Sequence, residues 1–271
     1  WLAKLPDVSP VGICPNDGYG WCECKGCRAL DTEEDRGNGT VNGRVADFTK
    51  FLAETFKDRT VGNYSYSNFA DFYKLTEPLP PNLVLSFTAF HCQSHRFLDD
   101  RCPRNRTFAR RFAQLKEKGA RFYIYDYYTH RWGFLPAPMW KSAARDFKEW
   151  KKAGIEGFLS EVSSTGAASW DSFWPTFCMA GEMMLDAERD PDDVIDDWCA
   201  SRYGRAARQM REYFRVWEKG VCDERCFLKN PDEFPQVFQA EAESHLAAAE
   251  AADGANAKKK SFAEKVKNLF G

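Results

Sequence analysis

Three carboxylate residues follow stretches that have the pattern of buried strands, and aromatic residues surround them. Asp17 lies in Asn-Asp-Gly, Asp126 in Tyr-Asp-Tyr-Tyr, and Glu161 in Ser-Glu-Val-Ser. In a parallel α/β barrel the functional groups lie where strands end, so the three would converge on one opening. Hydrolysis of a glycosidic bond needs one carboxyl group to protonate the leaving oxygen and a second as nucleophile or base. The pattern therefore predicts an acid/base pair, although an Asp in this position also commonly forms a turn.

Aromatic and imidazole side chains occupy the same predicted strand ends. Because Tyr and Trp offer flat apolar surfaces with a polar edge, they suit the apolar faces of sugar rings. We expect a sugar site to be lined by Tyr64, Tyr66, His91, Tyr128 and Trp132. His91 and His95 are also candidates for hydrogen bonds within a loop, because they follow a strand and do not have helical metal-ligand spacing.

Eight of the ten cysteines cluster along the chain, while Cys178 and Cys199 occur singly. Four of them, Cys14, Cys22, Cys24 and Cys27, could supply the four thiolates of a structural zinc site, but paired Cys-x-x-Cys motifs are absent. Disulfides in an exported protein and free thiols remain alternatives. Cys92 and Cys102 bracket a loop that a disulfide would brace.

Five short apolar or aromatic stretches end in polar residues, and most follow a turn signal such as Pro80-Pro81-Asn82. Their near-continuous apolar content is typical of strands that are covered on both faces. The predicted strands are residues 11–17, 60–68, 83–91, 121–128 and 155–163. Helix patterns alternate with most of them, which favours an α/β fold with parallel strands.

Apolar residues at helical spacing predict the helices between the strands. One face combines Val45, Phe48, Phe51, Leu52 and Phe56; a second combines Phe108, Phe112 and Leu115; a third combines Ala143, Phe147 and Trp150. After the fifth strand the chain is wholly helical. Asp190-Pro191 predicts a cap and a first-turn proline.

Five strands are too few for the eight of a (β/α)8 TIM-type barrel. We therefore expect residues 1–190 to be the C-terminal part of such a barrel, about strands four to eight, and residues 191–271 to be a helical extension. Since the sequence starts at Trp1, the other barrel strands and any leader would lie upstream in a longer chain.

Charge and hydropathy exclude some classes of partner. There are 38 basic and 40 acidic residues without a basic stripe, so a nucleic-acid partner is not expected. No apolar run reaches the roughly 18 residues that span a membrane. No organic cofactor is implied. The cysteine clusters favour an extracellular or periplasmic location.

The motifs as a set resemble the family called domain of unknown function 4838. The resemblance covers roughly residues 8 to 218. It rests on Asn16-Asp17-Gly18 followed by residues 21–30, Pro80-Pro81-Asn82-Leu83, Cys92 to His95, Cys102 to Asn105, Tyr125-Asp126-Tyr127 and Tyr203 to Ala207. Such domains occur in large, often exported bacterial proteins and look like the C-terminal part of a glycosidase-type barrel, similar in style to α-glucuronidases and hexosaminidases.

The resemblance implies a carbohydrate-active protein. By analogy of position Asp17 would be the general acid, although hexosaminidases have an Asp-Glu pair where this chain has Asn16-Asp17. Its partner would be Asp126 or Glu161; Glu161 is a candidate from its position at a predicted strand end alone, since it matches no motif of the family. Our leading hypothesis is a glycoside-hydrolase-like domain that acts on a polysaccharide or glycoconjugate. A glycan-binding module without catalysis is the alternative. A metal-dependent hydrolase that uses the cysteine cluster is a weaker third hypothesis, because clusters of cysteine alone are usually structural.

Overall fold

The computed structural model describes residues 11–16, 18–71, 78–88, 91–128, 139–161, 167–221 and 236–253. Its contacts divide the chain into two compact units. The sheet unit consists of Trp1–Phe90, Thr107–Asp126 and Gly154–Leu159, and the helical unit consists of His91–Arg106, Tyr127–Ala153 and Ser160–Gly271.

A five-stranded parallel sheet has its strands in the order in which they occur along the chain. The strands are β1 (Val11–Gly12), β2 (Val61–Ser65), β3 (Leu83–Thr88), β4 (Arg121–Asp126) and β5 (Gly157–Ser160). In the register, Val61 lies opposite Leu83 and Val84 lies opposite Arg121. This confirms the predicted α/β fold and the five predicted strands, although each strand is shorter than its predicted range and ends two or more residues earlier.

One face of the sheet packs against α4 (Pro103–Glu117) through aromatic residues. Phe122 of β4 lies 4.7 Å from Phe112, and Phe87 of β3 lies 6.1 Å from Phe112 and 6.3 Å from Phe108, measured between ring centroids. Alternation along a strand places residues two apart on the same face, so Leu85 joins Phe87 there. The predicted apolar face of α4 is confirmed, because Phe112 and Leu115 are buried.

Helix α3 (Asn42–Thr55) lies next to β2, and its buried face includes Val45 of the predicted face but not Phe48 or Phe51. Val45, Thr49 and Ala53 are buried, whereas Phe48 and Phe51 are more than half exposed. Thr49 accepts a hydrogen bond from the buried Asn63 side chain of β2 at 2.6 Å. Because this bond needs close approach, the small residues of α3 face the sheet. The side-chain amide of Asn82 binds the end of the helix, with its nitrogen 2.9–3.1 Å from the carbonyl oxygens of Ala53, Phe56 and Arg59.

Two short helices that sequence patterns did not predict, α1 (Lys25–Ala29) and α2 (Glu33–Asn38), precede α3. Thr32 and Asp35 form a capping box at the start of α2, and Gly39 ends it in the left-handed conformation with φ of 68°. Both helices are too short to show an apolar period, so only their caps reveal them.

The helical unit contains α5 (Trp140–Ala153), α6 (Ala167–Leu185), α7 (Pro191–Tyr203), α8 (Ala207–Val221) and α9 (Gln236–Asp253). The predicted cap is confirmed, because Asp190 accepts a hydrogen bond from the Asp192 amide and Pro191 is the first residue of α7. Trp174 joins three helices: its indole donates to the Tyr203 hydroxyl at 3.1 Å, and its ring contacts Phe214 edge-on at 5.4 Å. The predicted face of α5 is buried, with Ala143, Phe147 and Trp150 all largely hidden from solvent. The predicted domain boundary near Pro191 stays a prediction.

Candidate functional site

The segment after β1 is joined to the end of β2 within the sheet unit. The side-chain amide of Asn68 donates to the Gly18 carbonyl at 3.3 Å, and the Trp21 indole donates to the same oxygen at 3.1 Å. Phe69 contacts Trp21 and Tyr66 edge-on, each at 6.0 Å between centroids. The C-terminal ends of β1 and β2 therefore form one patch that combines aromatic rings with amide and carbonyl groups.

Opposite the α4 side, the sheet presents tyrosines that are only partly buried. Tyr64 of β2 and Tyr125 of β4 contact each other edge-to-face with centroids 5.3 Å apart, and Tyr123 lies on the same face two residues before Tyr125. Gly157 of β5 allows the Tyr123 ring to lie against the strand, since a Cβ at this glycine would approach the ring to 3.0 Å. We call this the tyrosine face.

Two buried polar atoms at the strand ends have no hydrogen-bond partner among the described residues: Thr88 Oγ1, at the end of β3, and Asn68 Oδ1, just beyond β2. Thr88 lies opposite Tyr125 in the register, so it belongs to the tyrosine face. A buried oxygen without a partner is costly in free energy and is typical of a site that water or a ligand completes.

Of the three predicted carboxylates, the structure describes two. Asp126 ends β4, is 1 % exposed, and by alternation shares the face of Phe122 and Ile124 that packs against α4. Glu161 directly follows β5 and is exposed. Asp17 lies outside the described residues, as does Trp132 of the predicted aromatic lining.

His91 and Tyr128 have no exposed surface. Both bind Asp146 of α5, which is itself fully buried: His91 Nε2 lies 3.2 Å and the Tyr128 hydroxyl 3.0 Å from its Oδ2. Arg145 Nε lies 3.3 Å from the other oxygen. Of the five residues predicted to contact a sugar, these two form a buried network, and Tyr64 and Tyr66 are half-buried.

Cys22, Cys24 and Cys27 converge, with their sulfur atoms all within 4.8 Å of one another, but Cys14 is not a member of the group. The backbone amide of Cys27 and the thiols of Cys22 and Cys27 lower the pKa of Cys24 to about 7. Hydrogen bonds with Cys24 and Cys22 raise the pKa of Cys27 to about 11. The cluster thus has one thiolate near neutral pH on an exposed surface. None of the eight described cysteines forms a disulfide, including the predicted pair Cys92 and Cys102.

A second group that could hold a metal consists of Cys92, His95 and Cys102, whose ligand atoms also lie within 4.8 Å of one another. Sequence reasoning treated His95 as a loop residue and the cysteines as a disulfide pair. The signal that could have found it is Cys-x-x-His followed by a cysteine at the start of a helix.

A groove that is lined mainly by apolar atoms lies at the opposite end of the strands, between α3 and the residues that lead into β3. Its walls include Lys50, Lys57 and Pro80. It is separate from the strand C-termini, and none of the predicted site residues lines it.

Within the described residues, no helix is both long enough and apolar enough to cross a membrane. No curated protein sequence and no solved structure matches this chain. One family does: the description is Domain of unknown function (DUF4838), and the match covers residues 1–215. The resemblance noted from the motifs is thereby confirmed, and the chain belongs to the DUF4838 family.

Proposed function

We propose that the chain is the carbohydrate-active part of a glycoside-hydrolase-like TIM-type barrel that hydrolyses a polysaccharide or glycoconjugate. Parallel strands in sequential order are the arrangement of successive βα units in such a barrel. The site of a barrel of this type lies at the C-terminal ends of the strands, where this chain has its tyrosines and polar residues.

The observation that carries the proposal is the pair of buried oxygens at the strand ends, Thr88 Oγ1 on the tyrosine face and Asn68 Oδ1 just beyond β2. A sugar is a dense array of hydroxyl donors on a ring with apolar faces. Its hydroxyls would donate to these two oxygens, and its ring would lie against Tyr64 or Tyr66. A purely apolar ligand would leave both oxygens without a partner, so a polyhydroxylated ligand fits best.

For the chemical step we propose Asp17 as the acid and Glu161 as its partner, since each follows a strand of the sheet. Asp17 gives its proton to the glycosidic oxygen as the bond to the anomeric carbon breaks. Glu161 either attacks that carbon or takes a proton from the water that does so. Burial of Asp126 on the helix-facing side makes it the less suitable partner.

The second candidate is a glycan-binding module that has the tyrosine face but no catalysis. The burial of Asp126 favours this second candidate. Of the two predicted carboxylates that the structure describes, Glu161 is exposed and Asp126 is buried, so the described residues offer one accessible carboxylate from the predicted set. An exported location is part of either version, and fractionation of the source cells with an antibody to this chain would test it.

Asp17→Asn and Glu161→Gln separate the two candidates. On a panel of polysaccharides, release of reducing ends should fall by roughly 10²–10⁴-fold in either variant, while calorimetric binding remains, because only proton transfer or nucleophilic attack is removed. Tyr64→Ala should weaken binding, and Phe51→Ala, on the exposed side of α3, should change neither quantity.

Normal turnover in Asp17→Asn would show that Asp17 is not the acid. If no glycan is cleaved but one binds, and Tyr64→Ala abolishes that binding, the chain is a binding module. If no glycan is either bound or cleaved, the carbohydrate proposal is wrong.

A further inference from the structure

We propose that Cys92, His95 and Cys102 form a zinc site in the helical unit, in which two thiolates and one imidazole nitrogen bind Zn²⁺. The three ligand atoms already lie within 4.8 Å of one another. Cys92 Sγ is 3.3 Å from His95 Nδ1. Zn–S and Zn–N bonds of about 2.3 and 2.0–2.1 Å in a tetrahedron separate sulfur and nitrogen by about 3.5 Å, so this pair already has the required spacing.

The backbone brings the ligands together without help from a metal. Cys92 and His95 stand at the two ends of one turn, closed by the His95 amide donating to the Cys92 carbonyl at 3.2 Å. Cys102 precedes α4, and its carbonyl accepts the first helical hydrogen bond, from Arg106, at 2.9 Å. The amino end of this 15-residue helix favours negative charge, so it favours the thiolate of Cys102.

Asn105 fixes the position of Cys92 from one side of the loop. Its fully buried side chain accepts from the Cys92 amide at 2.6 Å and donates to the Cys92 and Arg96 carbonyls at 3.0 and 2.6 Å. Asn105 therefore ties Cys92, at the start of the turn, to Arg96, which directly follows His95.

Arg145 of α5 holds the same loop from the other side. Its guanidinium donates to the carbonyls of Gln93 and His95 at 3.0 and 2.7 Å. Two independent side chains thus hold the turn that carries Cys92 and His95, which lowers the entropy lost when a metal binds. Such partners typically contribute a 10–100-fold factor to metal affinity.

The alternative to a metal is a disulfide between Cys92 and Cys102, which are both thiols here. A disulfide uses only the sulfur atoms and gives no reason for an imidazole nitrogen 3.3 Å from one of them. Two thiolates with an imidazole suit Zn²⁺, whereas Mg²⁺ and Ca²⁺ prefer oxygen ligands. The sulfurs belong to buried residues and His95 is half-buried, so a water on the His95 side would complete the tetrahedron.

Binding of Zn²⁺ releases protons from the ligands. Each thiol loses its proton as its sulfur binds the metal, and the imidazole binds in its neutral form, so about two protons leave for each Zn²⁺ when both thiols start protonated. This inference does not depend on the proposed glycan site, because no sugar takes part in it.

The cluster of Cys22, Cys24 and Cys27 needs to be removed from the measurement because it could also bind metal. We would use the whole chain with Cys22, Cys24 and Cys27 replaced by serine, reduced and stripped by a chelator, and titrate it with Co²⁺ and Zn²⁺. The expected result is one Co²⁺ per chain with thiolate-to-cobalt charge-transfer absorption, displaced by one Zn²⁺. His95→Ala in that background should weaken Co²⁺ binding by roughly 100-fold or more while the circular dichroism is unchanged, and Asn105→Ala by about 10–100-fold.

Three results would overturn the site. The first is the absence of thiolate-to-cobalt absorption in the reduced triple-serine protein. The second is full Co²⁺ affinity after Cys92→Ser or His95→Ala. The third is a peptide map of protein purified without reductant that shows Cys92 linked to Cys102 together with no bound zinc. Because the first result needs no change at the proposed ligands, misfolding of a ligand variant cannot hide it.

Discussion

Asp35 shows how much order a single buried carboxylate can impose. It is 1 % exposed and accepts hydrogen bonds from the Thr32, Asn42 and Gly43 amides and from the side chains of Thr40 and Asn42, at 2.6–3.2 Å. Burial alone would raise the pKa of Asp35, but these donors outweigh it and hold the pKa well below its usual range. The charged carboxylate thereby ties α2 to the start of α3.

The stability contributed by Asp35 should depend on pH with a defined sign. Its folded pKa is lower than the unfolded value of about 3.9, so the contribution is complete above about pH 5 and declines as the pH falls through 3.9 toward the folded pKa. Asp35→Asn should cost about 3 kcal/mol of unfolding free energy at pH 7, because an amide nitrogen replaces an acceptor. Urea unfolding at pH 7 and pH 3 should show this cost shrinking in acid.

The exposed Asp47 of α3 supplies the control for that titration. Asp47→Asn should leave the unfolding free energy close to wild type. A cost for Asp35→Asn that stays constant down to pH 3 would contradict the assignment of a lowered pKa.

Gly43, next to Asn42, is required by space rather than by backbone conformation. A Cβ there would meet the Leu30 carbonyl oxygen at 2.5 Å and an Asp35 carboxylate oxygen at 3.2 Å. Alanine normally stabilises a helix relative to glycine by up to about 1 kcal/mol. Here Gly43→Ala should instead destabilise by about 2 kcal/mol, because backbone must shift. Gly37→Ala in α2, where nothing lies within 4 Å, should be neutral or stabilising in the same thermal unfolding assay.

At the scale of elements, α5 uses two adjacent residues to connect the loop after β3 to the core of the helical unit. Arg145 binds loop carbonyls, while Asp146 binds His91 and Tyr128. The apolar face of α5 was predictable from Ala143, Phe147 and Trp150. Asp146 falls on the same face, and a buried acid on an apolar face is the sequence signal for such a network.

Asp146→Asn should cost about 3 kcal/mol of unfolding free energy, since the fully buried site would lose the charge that balances Arg145 and an acceptor for Tyr128. Chemical denaturation at pH 7 would measure this. Lys151→Ala, on the exposed side of α5 and in a surface ion pair with Glu188, should change stability by less than about 1 kcal/mol. Equal effects of the two substitutions would argue against a network role for Asp146.

For the whole molecule, the sequence predicted the features that repeat and missed those that depend on single contacts. The five strands and their order were predictable, because turn signals and apolar runs recur along the chain. The buried face of α3 was not, because the Thr49–Asn63 hydrogen bond, rather than the most apolar residues, sets it. Likewise the buried oxygens of Thr88 and Asn68 could not be predicted, because nothing in a sequence reports that a buried oxygen lacks a partner.

The folded molecule continues beyond the family match, which ends at residue 215 inside α8. Helix α9 contacts α8 along its length and buries Ala242, Leu246 and Ala249, which are spaced four and three residues apart. Helix α8 also buries large aromatic residues, Tyr213 and Trp217 among them. We infer that α9 is a structural part of the helical unit and not a detachable tail.

Leu246→Ala should therefore destabilise the helical unit by about 2–4 kcal/mol, the usual cost of emptying a buried leucine site. Ser244→Ala, two residues earlier on the exposed side of α9, should be neutral or slightly stabilising because alanine is the better helix former. Thermal unfolding with a tryptophan signal would detect the difference, since several buried tryptophans, Trp174 and Trp217 among them, lie in this unit.

A chain cut after Val221 should show the same loss more strongly, with aggregation from the uncovered face of α8. If both the truncated chain and Leu246→Ala unfold at the wild-type midpoint, α9 does not stabilise the unit, and the fold ends where the family match ends.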